Sequence, residues 1–158
     1  MIIRKKFKVE VAHRVLYSYT KRCQGVHGHS YIIELKLKGN TQNKAEMLVD
    51  FKEVKDLVNP FIDSFDHSLL VWDKDYELCK VKDILNIRNI LLPYSPTAEQ
   101  MSRHIYYQCV HLLKKLEDIE VSSVIVHETD TGYAEYKGED NIKINLEEVV
   151  YSEELQNK

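Results

Sequence analysis

Hydrophobic and polar residues alternate through the first forty positions in a way that predicts two β-strands. From residue 3 to 13 the odd positions read Ile3, Lys5, Phe7, Val9, Val11 and His13, while Arg4, Lys6, Lys8 and Glu10 occupy even ones. Side chains on a strand point alternately to opposite faces, so this pattern marks one buried and one wet face. A second strand runs from about His27 to Lys38, with Tyr31, Ile33, Leu35 and Leu37 on one side and Glu34, Lys36 and Lys38 on the other. The two are expected to pair antiparallel.

The period then changes. Behind Asp50, an N-cap residue type, Phe51, Val54, Leu57, Val58, Phe61, Ile62 and Phe65 recur at helical spacing. Pro60 lies inside this run and predicts a kink or an early end. A second helix starts at Thr97, with Gln100 at capping-box spacing, Glu99 at the positive end of the helix dipole, and an apolar face of Met101, Ile105, Cys109, Leu112, Leu113 and Leu116. Between the helices, residues 72–93 read as an excursion with a short strand near Ile87–Leu92. A third strand is expected over Val121–Glu128, and a fourth around Asn141–Val149 after the turn-forming Lys137-Gly138-Glu139-Asp140. The order ββααββ describes an α+β domain: a four-stranded antiparallel sheet with two helices on one face.

With 158 residues the chain suits a single domain, placed over residues 1–150, with a polar, fraying tail at 151–158. A net charge of -3 with 30% charged residues lacks the basic excess of a general nucleic-acid binder, so a small-molecule partner is expected. Cys23, Cys79 and Cys109 are odd in number and form no CxxC pair, which argues against a disulfide framework and fits a reducing cytoplasm. The charged N-terminal stretch lacks a signal-peptide core, and no segment has the ~18 apolar residues of a membrane span.

Candidate chemistry sits at the ends of the first two strands. His13 continues the face of Val9 and Val11, and His27 and His29 lead into the face of Tyr31 and Ile33. An antiparallel pairing brings the end of one strand to the start of the other, so the three imidazoles converge. Three neutral imidazoles suit Zn²⁺ and leave a fourth position open; each histidine is also, taken singly, an ordinary strand-end residue. Cys23 precedes His27 by four residues, in a loop able to hang over such a site, where a cation favours the thiolate as a base or nucleophile; a passive loop cysteine is the alternative. Asp66-His67 could form a carboxylate–imidazole relay, although neighbours in sequence need not touch. Glu128 shares the parity of Val124 and Val126, and a carboxylate there could accept paired N–H groups from a heterocycle. An ordinary strand-end glutamate fits the same spacing. His104, His111 and His127 read as structural or surface residues.

In combination, Phe7–Arg14 (FKVEVAHR), Cys23–Tyr31 (CQGVHGHSY), Val49–Phe51 (VDF), Phe65–Leu69 (FDHSL), Pro96–Gln100 (PTAEQ), Val126–Thr129 (VHET) and Ala134–Tyr136 (AEY) resemble, in order, the 6-pyruvoyl-tetrahydropterin synthase / 6-carboxytetrahydropterin synthase family. The resemblance implies a tunnelling fold (T-fold) whose sheets associate into an oligomeric barrel, commonly a homohexamer, with active sites shared between subunits. It implies Zn²⁺ on His13, His27 and His29, Cys23 as general base, Asp66 with His67 as relay, Glu128 as pterin anchor, and Thr97 and Glu99 lining or supporting the pocket. The C-x-x-x-H-G-H spacing looks like the bacterial carboxy-forming enzymes, which convert 7,8-dihydroneopterin triphosphate to 6-carboxytetrahydropterin, acetaldehyde and triphosphate on the route to queuosine. Lys21, Arg22 and Arg14 are candidate cations for the triphosphate. The long 72–94 segment, Pro60 and His127 depart from the compact bacterial pattern. The alternatives are a pyruvoyl-forming synthase, a non-catalytic pterin- or metal-binding relative, and an unrelated three-histidine zinc hydrolase in which Cys23 and Glu128 have no reason to approach the metal.

Overall fold

A computed structural model of the chain describes residues 1–140, 142 and 144–156. Strands β1 (Ile2–His13) and β2 (His27–Lys38) pair antiparallel without interruption, from Ile2 opposite Lys38 to His13 opposite His27. The alternation does what it predicts: Phe7, Val9, Val11, Tyr31, Ile33, Leu35 and Leu37 are all buried. Helix α1 (Lys21–Gln24) is a single turn between the two strands.

Two helices cover the inner face. In α2 (Phe51–Asp63), the Asp50 carboxylate accepts from the Lys52 N–H, and Val54, Val58 and Ile62 are buried. The helix continues through Pro60, which faces outward, where water can satisfy the carbonyl that the missing N–H leaves free. In α4 (Ala98–Leu113), Thr97 caps the Gln100 N–H, and Met101, Ile105, Cys109 and Leu113 fill the core. Strand β5 (Glu120–His127) pairs with β2, and β6 (Tyr133–Tyr136) with β5, both antiparallel. A bulge opposite Lys36 and Leu37 absorbs Ser122, so buried positions switch from Val121 to Val124 and Val126. Since a one-residue offset exchanges the faces of a strand, the bulge aims Glu128 inward.

The sheet extends past these four strands. Strand β3 (Ser68–Trp72) pairs parallel with β1 at Val11 and Ala12, β4 (Asn89–Leu92) pairs parallel with β3, and β7 (Val150–Tyr151) pairs antiparallel with β4. Among the described residues the strand order is therefore β6-β5-β2-β1-β3-β4-β7. The expected strand near Ile87–Leu92 is β4. Helix α3 (Tyr76–Leu85) joins β3 to β4 on the opposite face, where Leu69, Val71 and Leu78 form a second, smaller core. Burial on both faces explains the unbroken apolar run Leu69-Leu70-Val71.

The expected fourth strand needs correction. Residues 142 and 144–149 form no strand; they hold a 3₁₀ turn at Leu146–Glu148, and the strand after β5 comes earlier, as β6. Asn141 lies outside the described residues. The Asp140 side chain accepts from the Ile142 N–H and pairs with Arg103, which turns the chain away from the sheet. The end of the chain is also attached through Leu155: Tyr151 pairs with Ile90, and Leu155, in α5 (Glu153–Gln156), packs on the main core.

Candidate metal centre and active site

The β1–β2 ladder determines where the histidines stand. His13 is directly opposite His27, and His29 is opposite Val11, one inward-facing position along. All three side chains point to the inner face. Their ring centroids lie 4.7 Å (His13–His27), 5.2 Å (His13–His29) and 4.8 Å (His27–His29) apart. One nitrogen from each falls within 4.8 Å of the others, so the three could hold a metal ion.

Backbone carbonyls prepare two of the rings. His13 Nδ1 lies 2.6 Å from the Pro96 carbonyl and His27 Nδ1 lies 2.8 Å from the Gly25 carbonyl. A carbonyl only accepts, so each Nδ1 carries the proton and each Nε2 presents a lone pair, the arrangement that orients ligating histidines. His29 Nε2 is buried and makes no hydrogen bond, an expensive state for a polar atom unless it serves a ligand. Burial lowers the His13 pKa, although the Pro96 bond opposes it, and burial likewise lowers that of His29 against the pull of Glu128. Neutral imidazoles are what a metal requires. The donor set therefore fits a divalent ion.

Glu128 completes the cluster. Its Oε1 is 3.6 Å from His13 Nε2 and 3.8 Å from His29 Nε2, and the Tyr31 hydroxyl donates to it across 3.3 Å. Burial, then Glu128, pushes the Tyr31 pKa up, so the phenol remains a donor. The carboxylate is about one-third exposed, at the mouth of the site. An unrelated three-histidine hydrolase gives no reason for a glutamate at this position.

Cys23 lies in α1, half-buried, with the Thr20 hydroxyl donating to Sγ at 3.0 Å. Its carbonyl accepts from the Val15 N–H at 2.8 Å, which ties the turn to the residues following His13. Thr97 is occupied as the α4 cap. Glu99 stands in the first turn of α4. The PTAEQ segment also supplies what residue types alone conceal: the Pro96 carbonyl that orients His13.

Asp66 and His67 do touch each other. Asp66 Oδ2 accepts from His67 Nδ1 at 2.9 Å, its Oδ1 accepts from the Glu10 N–H at 2.8 Å, and the His67 N–H donates to the Glu10 carbonyl at 2.7 Å. The two bonds that Asp66 accepts, that from the Glu10 N–H first, hold its carboxyl below the usual pKa against burial. His67 is held at φ 58°, a left-handed conformation uncommon outside glycine, which it shares with Glu46, Asn86 and Asp118. His67 lines a cavity of about 510 Å³ with Glu10, Val26, Gly28, His29, Ser30 and Leu69. Glu10 and Ser30 belong to the outer side of the sheet, so His67 stands on that side, and only His29 of the three histidines borders the same cavity.

The remaining candidates separate clearly. Arg14, a candidate for the triphosphate, is bound instead by Asp75 and Glu77. His104 is buried beside Phe61, Phe65 and Tyr94, His111 is exposed, and His127 sits on the outer face 3.2 Å from Glu34.

Fold and site together define a T-fold enzyme with a three-histidine centre. A family model described as 6-pyruvoyl tetrahydropterin synthase matches residues 2–139, and the chain belongs to that family. It is 33% identical over 143 residues to a 6-carboxy-5,6,7,8-tetrahydropterin synthase of Helicobacter pylori, covering 85% of this chain and 72% of the relative. It is 30% identical over 161 residues to the enzyme of the same name from Aquifex aeolicus, covering 87% and 98%. Among solved structures, a protein of Wolinella succinogenes superposes with a TM-score of 0.75 at 19% identity, covering 88% of this chain and 98% of the other. The 6-pyruvoyl tetrahydropterin synthase of Caenorhabditis elegans gives 0.64 at 19%, covering 87% and 95%; at such identities the likeness concerns the fold. No helix among the described residues is long and apolar enough to cross a membrane.

Proposed function

We propose that the protein is a zinc-dependent 6-carboxy-5,6,7,8-tetrahydropterin synthase acting on 7,8-dihydroneopterin triphosphate, an early step toward the queuosine base. The observation that carries this reading is the meeting of three imidazoles with Glu128 at one mouth, His13 Nε2 lying 3.6 Å from Glu128 Oε1. The names of the relatives support it, as does the C-x-x-x-H-G-H spacing.

Zn²⁺ would be held by His13, His27 and His29, and when bound it polarises the side-chain oxygens of the substrate and stabilises enolate-like charge. Glu128 receives the paired N–H donors of the pterin ring. Cys23 takes and returns the side-chain protons, and His67, its tautomer set by Asp66, relays them. Thr97 supports the pocket wall by holding the start of α4, and Glu99 stands in the following turn.

His67 stands on the outer side of the sheet beside Glu10 and Ser30, so a site that uses it on the inner face, where the three histidines meet, would draw on a second copy of the chain. The outer face of β1, β2, β5 and β6, which neither α2 nor α4 covers, provides the surface for such association. A homohexameric barrel with shared sites fits this division of labour.

Incubation of the zinc-loaded protein with dihydroneopterin triphosphate, with products identified by mass spectrometry, tests the reading. The expected products are 6-carboxytetrahydropterin, acetaldehyde and triphosphate. A pyruvoyl product without acetaldehyde overturns it in favour of a pyruvoyl-forming synthase, and binding without turnover in favour of a non-catalytic relative.

A further inference from the structure

The corner from Trp72 to Glu77, between β3 and α3, has no part in the chemistry above, yet it is fastened to the loop that carries Cys23. Asp75, 2% exposed, uses both carboxylate oxygens on Arg14: Oδ2 accepts from Nε at 2.5 Å, and Oδ1 from Nη2. The same Oδ1 accepts from the Leu78 N–H at 3.1 Å, so one buried carboxylate both caps α3 and grips the residue after His13. A fork-to-fork pair of this kind fixes direction as well as distance. The Arg14 hydrogen bond, opposed by burial, holds the Asp75 carboxyl below the usual range, and the same bond raises Arg14. Glu77 adds a more exposed contact at 3.2 Å.

A second attachment is independent of the first. Tyr17 meets Trp72 edge-on, with ring centroids 6.0 Å apart. From Arg14 the restraint passes along the chain. The Val15 N–H donates to the Cys23 carbonyl at 2.8 Å, the Ser18 N–H to the Val15 carbonyl at 3.0 Å, and the Gln24 side chain to the Ser18 carbonyl at 2.9 Å. Both fastenings therefore act on one small bonded unit, residues 14–24, whose reactive member is Cys23.

We infer that Asp75 is a positioning residue: through Arg14 it fixes the 14–24 loop and hence the placement of the Cys23 thiol relative to the metal centre. The 72–77 corner is the anchor for that loop. This inference rests on the reading of Cys23 as the proton-transferring group, but its test has a readout that does not depend on turnover.

Asp75→Asn is the informative variant, because asparagine caps a helix about as well as aspartate while losing the charged grip on Arg14. Wild type and variant, both metal-loaded, are exposed to iodoacetamide at one fixed pH, and alkylation of Cys23 is followed by peptide mass mapping, with buried Cys109 as the internal control. Cys23 alkylation is expected to rise several-fold in Asp75→Asn with metal content unchanged. kcat is expected to fall by roughly 10- to 100-fold, the scale on which small misplacements act, with KM little affected. Glu77→Gln, which removes only the exposed contact, is expected to leave both readouts near wild type. If Asp75→Asn does not fold, Tyr17→Ala removes the second fastening and is expected to shift Cys23 alkylation in the same direction. Lower thermal stability with wild-type Cys23 alkylation overturns the inference and leaves Asp75 a purely structural cap. A wild-type protein that does not turn over the pterin substrate defeats the functional reading alone, since the alkylation comparison stands apart from it.

Discussion

His13 and His27 face each other across the last pair of the β1–β2 ladder, and each gives its Nδ1 proton to a backbone carbonyl, that of Pro96 or Gly25. The ladder sets the distance between the rings, while carbonyls from two other segments set the tautomers. The nitrogens that could hold a metal are thus prepared by backbone that must be folded in any case.

Metal removal should therefore inactivate without unfolding. Dialysis against a chelator is expected to abolish turnover while leaving the far-ultraviolet circular dichroism unchanged, because the ladder from Ile2 to His13 and the core beneath it need no metal. His29→Ala should lower bound zinc, measured by elemental analysis, from about one ion per chain to near zero.

Glu128→Gln keeps the size of the side chain and removes its charge. If the carboxylate receives a pair of N–H donors, kcat/KM should fall by roughly 10- to 100-fold, corresponding to the ~1.5–3 kcal/mol of a charge-assisted hydrogen bond. Zinc content should not change. An unaltered kcat/KM would remove Glu128 from the substrate site.

Cys23→Ala separates chemistry from binding. A proton-transfer role predicts a loss of about 10²- to 10⁴-fold in kcat, with pterin affinity, followed by fluorescence titration, close to wild type.

Acid stability should depend on a histidine outside the three-histidine cluster. Burial pushes the His104 pKa down from its ordinary 6.5 to about 4, with Tyr94 Oη 2.5 Å from Nδ1. Between those values the unfolded chain binds a proton at this residue and the folded chain does not. The stabilisation is thus complete above pH 6.5 and is lost as pH falls toward 4. The loss amounts to roughly 3 kcal/mol. Urea midpoints measured across this range for wild type and His104→Gln should converge toward acid pH; parallel curves would show that His104 does not carry the dependence.

What could be read in the sequence follows from how locally each feature is determined. Alternation from Ile3 to His13 and from Tyr31 to Leu37 declared a half-buried strand pair, and strand parity alone brought His13, His27 and His29 together. Leu69-Leu70-Val71 carries no such alternation because α2 and α4 lie on one side of it and α3 on the other. The pattern of α3 is weak for a related reason: of its apolar residues Leu78 is buried, whereas Ile84 and Leu85 are largely exposed. Strand β6 is only four residues long, which let the later apolar residues Ile144 to Val149 compete for the assignment. The Pro96 and Gly25 carbonyls are invisible to any reading of residue types. That His67 faces the far side of the sheet depends on the parallel pairing of β3 with β1, a contact between segments more than fifty residues apart.

Because the β1–β2 register holds the histidines from both sides, the loop from Arg14 to Val26 is free of any duty in arranging them, apart from the Gly25 carbonyl at its very end. A change in the length of this loop would therefore move the Cys23 thiol while leaving the spacing of the three imidazoles as the ladder sets it.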